Sequence, residues 1–188
     1  KVAGNTIETL TVLDSAHKLD CDIIAFSSGG KIEEYCIKNQ INYKKIESIH
    51  SPRASFTKFT FSILKILSSI IPMNEEEITE SIESLENLSQ KISSDNLSET
   101  NPSLDLANFI SGIPLLYYPY GLQSSATRFK SSIQENAKSH IIIEDIVEAS
   151  HNGIVAWEKL SVVQPILLRG YDDYIKTKDR FEIIKEFF

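Results

Sequence analysis

Short apolar runs alternate along this chain with segments whose apolar residues recur three and four apart. "DIIAFSSGG" (22–30) has the length of a strand and ends in Ser-Ser-Gly-Gly. "KIEEYCIKNQ" follows at helical spacing, and "SFTKFTFSILKILSSII" (55–71) predicts a further helix that Pro72 stops. The second half repeats the rhythm. A helix in "LDLANFISG" leads to a strand in "IPLLYYP", and a helix in "SSATRFKSSIQENAKS" leads to a strand in "HIIIEDI". A helix over "HNGIVAWEKL" then precedes a strand in "VVQPILLRG" and a closing helix from Asp172 to Phe188. Strands that are continuous apolar runs, rather than in-out alternations, and that take turns with helices predict an α/β fold. Its parallel sheets would be doubly wound, with helices on both faces.

Between the halves the composition changes. Residues 74–103 are rich in acids, serine and asparagine, yet Ile78, Ile82, Leu85 and Leu88 keep one helical stripe. This predicts a surface helix fading into a linker. The chain therefore divides into residues 1–73, an acidic helix and linker over 74–103, and a second unit over 104–188. The opening "KVAGNTIETL" reads as a loop running into a helix, where a strand is expected to come first. The first unit is thus expected to be incomplete and the chain a piece of a longer protein.

Composition narrows the function classes. Nineteen Lys and Arg against 26 Asp and Glu give a net charge of −7. Lys44-Lys45 and the lysines near Lys176 are too short and too mixed with acids to form a phosphate-attracting cluster, so no nucleic-acid role is expected. No apolar run approaches the ~20 residues that span a bilayer, so no membrane role is expected. Cys21 and Cys36, fifteen apart, fit neither a metal site nor a disulfide framework, which is consistent with a reducing cytoplasm.

In a parallel α/β sheet, ligands bind where strands end and helices begin, and four places there carry candidate chemistry. "AGNTIETL" (3–10) offers Gly4 for a tight backbone and Thr6 and Thr9 as hydroxyls near a helix N-terminus, where free amides favour an anion. "FSSGGK" (26–31) adds Ser27 and Ser28 before two glycines. Each alone reads more readily as a cap or a turn, but two in consecutive βα units read equally as a hydroxyl-and-amide cradle for a phosphate monoester; neither is a GxxxxGK[ST] or GxGxxG loop. "HSPRASF" (50–56) places Arg53 at the start of a helix, where a cation opposes the macrodipole unless an anion is also present. A nearby carboxylate would serve as that anion as well as a ligand would. Glu135 and His151 are the fourth pair, a carboxylate able to act as general base on a carbon acid and an imidazole able to move protons between oxygens. Taken singly, Glu135 reads as an exposed helix glutamate and His151 as a helix-start residue bonded to a carbonyl.

The order of these pieces carries more than any one of them. "GNTIETL", "SSGGK", "SPRASF", "RFKSSIQENAK" and "SHNGIVAWE" resemble, in sequence, the pattern of the archaeal-type bifunctional phosphoglucose/phosphomannose isomerases. These are sugar-isomerase (SIS) domain proteins whose pattern runs SGNTEET, TSGG, PRA, RWK…NENAK and NHNE-I-x-x-W. The resemblance implies two SIS units with flavodoxin-like parallel sheets, and a homodimer with active sites shared at its interface. It implies a hexose 6-phosphate substrate and no metal or cofactor. Glu135 would be the base that moves a proton between C1 and C2 through a cis-enediol. His151, reaching in from the partner subunit, would open the sugar ring, and Arg53 would stabilise the enediolate. Thr6, Thr9, Ser27 and Ser28 would line the phosphate end. Three departures stand out. Lys1 and Ala3 replace serines flanking the first loop, and Gly153 replaces the glutamate after His-Asn. The pattern's N-terminal glycine-serine loop and its C-terminal lysine helix have no counterpart, since Lys176 and Lys178 lie too early. These departures keep a second reading open, a sugar-phosphate-binding SIS sensor without catalysis.

Overall fold

The computed structural model describes residues 3–188. Their contacts divide the chain into two compact units, the first running to Ile82 and the second from Glu83 to Phe188.

In the first unit, α1 (Ile7–His17), β1 (Ile24–Ser27), α2 (Lys31–Lys38) and β2 (Asn42–Lys45) precede a 3₁₀ turn at Arg53–Ser55 and α3 (Phe56–Ile66). β1 and β2 are parallel, with Ile24 opposite Asn42 and Ser27 opposite Lys45. Leu13 of α1, Ala25 of β1 and Ile32 and Cys36 of α2 form the buried centre, flanked by Tyr35 and Tyr43. The strand β2 has no apolar run to announce it. "NYKK" is exposed apart from half-buried Tyr43, and its strand conformation comes from the ladder to β1 rather than from burial. α4 (Glu75–Lys91) crosses the boundary between the units.

The second unit begins with α5 (Pro102–Phe109). The Asn101 side chain caps it by accepting from the Ser103 amide at 2.9 Å, and Pro102 occupies the first turn, where its missing N–H costs nothing. Then come β3 (Ile113–Tyr118), α6 (Gln123–Ser132), β4 (Ile142–Asp145), α7 (Ile146–Ala149), β5 (Val163–Leu167) and α8 (Ile175–Ile184). The sheet order is β4-β3-β5, all parallel. β3 is buried from Pro114 to Tyr118, and its side chains alternate between two cores. Leu115 and Tyr117 pack with Ile146, Ala149, Phe181 and Ile184 of α7 and α8. Leu116 and Tyr118 pack with Ala126 and Phe129 of α6. Right-handed crossovers require this. The chain moves to one side of β3 through α6, then back past β3 to β5, so its helices must cover opposite faces.

Edge position explains how β5 carries Pro165 without losing a needed ladder bond. Gln164 fixes the start of β3 against β5. Its Oε1 accepts from the Ser111 and Gly112 amides at 2.6 and 2.7 Å, and its Nε2 donates to the Phe109 carbonyl at 2.9 Å.

"HNGIVAWEKL" is not the α-helix that its spacing predicts. The α-helix ends at Ala149, and Gly153–Glu158 forms a 3₁₀ stretch. Gly153, Ile154 and Val155 are weak α-formers. Trp157 is drawn inward by a 3.0 Å bond from its Nε1 to the Tyr117 hydroxyl.

Phe181 is fully buried in the α7–α8 core. Phe181→Ala is expected to destabilise the protein by about 3–5 kcal/mol, measured as a lowered urea midpoint with an unchanged slope.

Candidate active site

The two hydroxyl-bearing loops of the first unit interlock. Gly4 has φ +64°, and a Cβ there would lie 1.8 Å from the Gly29 carbonyl oxygen. Only glycine lets the first loop seat against the second. The Gly4 carbonyl then accepts from the Ile32 amide at 2.9 Å, and the Asn5 Oδ1 accepts from the Lys31 amide at 3.0 Å. The start of α2 is thus satisfied by the loop that leads into α1. Thr6 occupies the N-cap of α1 with extended backbone but makes no side-chain cap. The hydroxyls of Thr6 and Thr9 therefore stand half-buried beside a helix start whose first amides remain available.

Ser27 and Ser28 differ in kind. Ser27 is fully buried; its hydroxyl donates to the Gly29 carbonyl at 2.9 Å, accepts from the Gly29 amide at 3.2 Å and lies 3.1 Å from the Tyr43 hydroxyl. These contacts hold the turn. Ser28 is half-buried on the same loop. Sequence reasoning passed over Tyr43 and Asn5, and also the Lys45–Glu33 ion pair at 3.1 Å beside Gly29. Tyr43 and the ion pair become visible only when β2 is paired with β1, and Asn5 only when the first loop is set against the start of α2.

Arg53 is exposed on the 3₁₀ turn ahead of α3, three residues before the α-helix rather than at its first position. Ser55 fixes that turn, accepting from the Ile49 amide at 2.8 Å and donating to the Ser51 carbonyl at 2.9 Å.

In the second unit Glu135 is exposed within a π-helical turn, Ile133–Ala137, that extends α6. Such turns widen a helix locally and re-aim its side chains. Lys138 closes this one in left-handed backbone, φ +56°, and its Nζ donates to the Glu135 carbonyl at 2.6 Å. α6 runs back from the end of β3 to the beginning of β4, so Glu135 lies at the edge where the strands start. His151 follows α7 and lies exposed at the edge where they stop; its amide donates to the Glu148 carbonyl at 2.9 Å. The unit does not bring these two residues together. Moreover, Glu135 stands apart from the carboxyl edge to which the strand rule directs the search. Lys1 lies outside the described residues, and Ala3 is exposed.

Glu144 had no sequence signal. It is half-buried on β4, opposite Tyr117, and its carboxylate oxygens lie 3.2 and 3.3 Å from where a Cβ of Gly153 would sit. Burial, and then the neighbouring Glu148, push its carboxyl above the ordinary glutamate range. Burial likewise raises the Tyr117 phenol, opposed by the Trp157 hydrogen bond. Among the described residues no group of three or more His, Cys, Asp or Glu side chains could hold a metal ion, and no helix is long and apolar enough to cross a membrane.

The fold is α/β, with parallel strands in both units and helices on both faces of the second unit's sheet. Residues 99–188 match the family model described as the bacterial phospho-glucose isomerase C-terminal SIS domain. The C-terminal domain of glucosamine-fructose-6-phosphate aminotransferase from Francisella tularensis superposes with a TM-score of 0.64 at 14% identity. That match covers 99% of this chain and 55% of the other. The chain is similar over nearly its whole length to bifunctional phosphoglucose/phosphomannose isomerases, the group its motifs resemble. The Caldicellulosiruptor bescii enzyme of that name is 27% identical over 98% of this chain and 57% of its own. The D-glucosamine-6-phosphate 4-epimerase of Sulfolobus acidocaldarius is 30% identical over 81% and 47%. The chain spans about half the length of these curated relatives.

Gly4→Ala is expected to separate the two loops and to cost on the order of 2 kcal/mol, read as a lowered thermal midpoint. For Glu144 the sign runs the other way. A raised carboxyl pKa means the folded state holds its proton more tightly than the unfolded chain, so stability falls as pH rises through the interval above 4.5. Glu144→Gln is expected to melt higher than wild type at pH 7 and level with it at pH 4. A lower midpoint at pH 7 would contradict this account.

Proposed function

We propose that the protein is an aldose–ketose isomerase interconverting fructose 6-phosphate with glucose 6-phosphate and mannose 6-phosphate. The observation that carries this reading is the interlocked loop pair of the first unit, set in a chain 98% of which aligns with about half of such an isomerase. Its open α1 amides, Thr6, Thr9 and Ser28 suit a phosphate monoester, while Ser27 holds the turn that presents them.

Isomerisation is an internal redox exchange: from ketose to aldose C1 is oxidised as C2 is reduced, and the reverse from aldose to ketose, so neither an external oxidant nor a reductant is needed. Glu135 takes the proton from the carbon next to the carbonyl, leaving a cis-enediolate, and returns it to the other carbon. Arg53 stabilises the oxyanion. His151 transfers the proton that opens the ring. A planar enediol can be reprotonated on either face, which accounts for two aldose products that differ at C2. The separation of Glu135 from His151 across the sheet supports a site completed by the His151 of a second subunit in a homodimer.

The purified protein is expected to convert fructose 6-phosphate into both aldose phosphates, measured by coupled assay. Glu135→Gln is expected to lose both products by about 10²-fold or more, the contribution of a positioned base. Binding of fructose 6-phosphate without turnover would instead support the sensor reading. Mixing Glu135→Gln with His151→Ala subunits is expected to restore part of the activity, and no recovery would remove the shared-site claim.

A further inference from the structure

α4 stands in water with its apolar stripe uncovered. Every residue from Glu75 to Lys91 is exposed except half-buried Ile78. Ile82, Leu85, Leu88 and the following Ile92 are 49, 43, 45 and 41% exposed. Their spacing of three, three and four keeps them on one face. A helix of this length, carrying serine, threonine and asparagine, gains most of its stability from packing an amphipathic face. Such a stripe therefore calls for a cover. The flanks constrain what the cover is: α4 carries six glutamates (75, 76, 77, 80, 83 and 86) and one lysine, Lys91. Two copies of α4 face to face would oppose like charges.

The second unit presents the complementary surface. Beside the His151 turn, between Ser150 and α8, runs a groove of about 550 Å³. Its apolar lining is buried Ile184, half-buried Ile154, and Ile183 and Phe187, which are 59 and 54% exposed. Lys176 and Arg180 also line it, with a single carboxylate, Asp179, which pairs loosely with Lys176 at 3.8 Å. Arg180 is half-buried and takes no carboxylate partner among the described residues. At 1.5 Å per residue the stripe from Ile82 to Ile92 is about 15 Å long, and the groove from Lys176 to Phe187 about 16 Å.

We propose that α4 of one copy docks its Ile82–Ile92 stripe in the Ser150–α8 groove of a second copy, with its glutamates against Arg180 and Lys176. This contact rests on the two surfaces and not on the isomerase reading, and it sets the turn that carries His151 beside a subunit boundary.

Two chains, each with one introduced cysteine, test it in a Cys21→Ser background whose remaining Cys36 is buried; one carries Leu85→Cys and the other Ile183→Cys. Mixed under mild oxidation, they are expected to give a disulfide-linked heterodimer as the main product, because only contact between copies can join these positions. In sedimentation, Arg180→Glu is expected to weaken dimerisation at least tenfold with unchanged circular dichroism. Adding Glu83→Arg and Glu86→Arg is expected to regain part of the loss. Four results would each overturn the proposal. These are a chain that stays monomeric at 100 µM, a dimer indifferent to Arg180→Glu, Leu85-to-Leu85 links as the main product, or a link closing within one chain when both cysteines are on it. Because no readout is catalytic, an inactive protein would leave this result intact.

Discussion

In the second unit every strand runs parallel to β3, so each connection must cross a face of the sheet before the next strand begins. That requirement, together with the right-handed crossover, decides where the ionisable residues go. The end of α6 has to lie where strands start, and the segment after β4 has to lie where they stop. Glu135 and His151 are sixteen residues apart in sequence, yet the topology assigns them to opposite edges. The hydrophobic alternation of β3 between its two cores enforces this arrangement, because Leu115 and Tyr117 cannot exchange faces with Leu116 and Tyr118 without unmaking both.

Burial made most of the fold readable. β3, β4 and β5 sit in apolar runs, and the helices between them show three-four spacing. β2 was invisible because a strand held by its neighbour's ladder needs no apolar residues of its own. The π turn at Ile133–Ala137 and the 3₁₀ stretch at Gly153–Glu158 were also hidden. Both depend on where single side chains are anchored, Lys138 on the Glu135 carbonyl and Trp157 on Tyr117, and local periodicity does not encode such anchors.

The site was legible in outline and not in its division of labour. Two serines adjacent in the sequence carry the same chemistry on paper. Only tertiary packing separates Ser27, which is fully buried, from Ser28, which is half-buried. Glu144 shows the opposite failure. A glutamate in an apolar strand reads as a solvent-facing residue, and its half-buried carboxylate lies where a side chain at Gly153 would crowd it.

Gln164 shows what it means to entrust a strand junction to one amide. Its oxygen receives two main-chain donors while its nitrogen serves one carbonyl, so the group is used in both senses and has one permissible orientation. Loss of ammonia from that side chain would leave the two accepted bonds in place and set an anionic oxygen against the Phe109 carbonyl. Covalent ageing at a single nitrogen would therefore loosen the seam between α5, β3 and β5 while the apolar core beneath it stayed chemically unchanged.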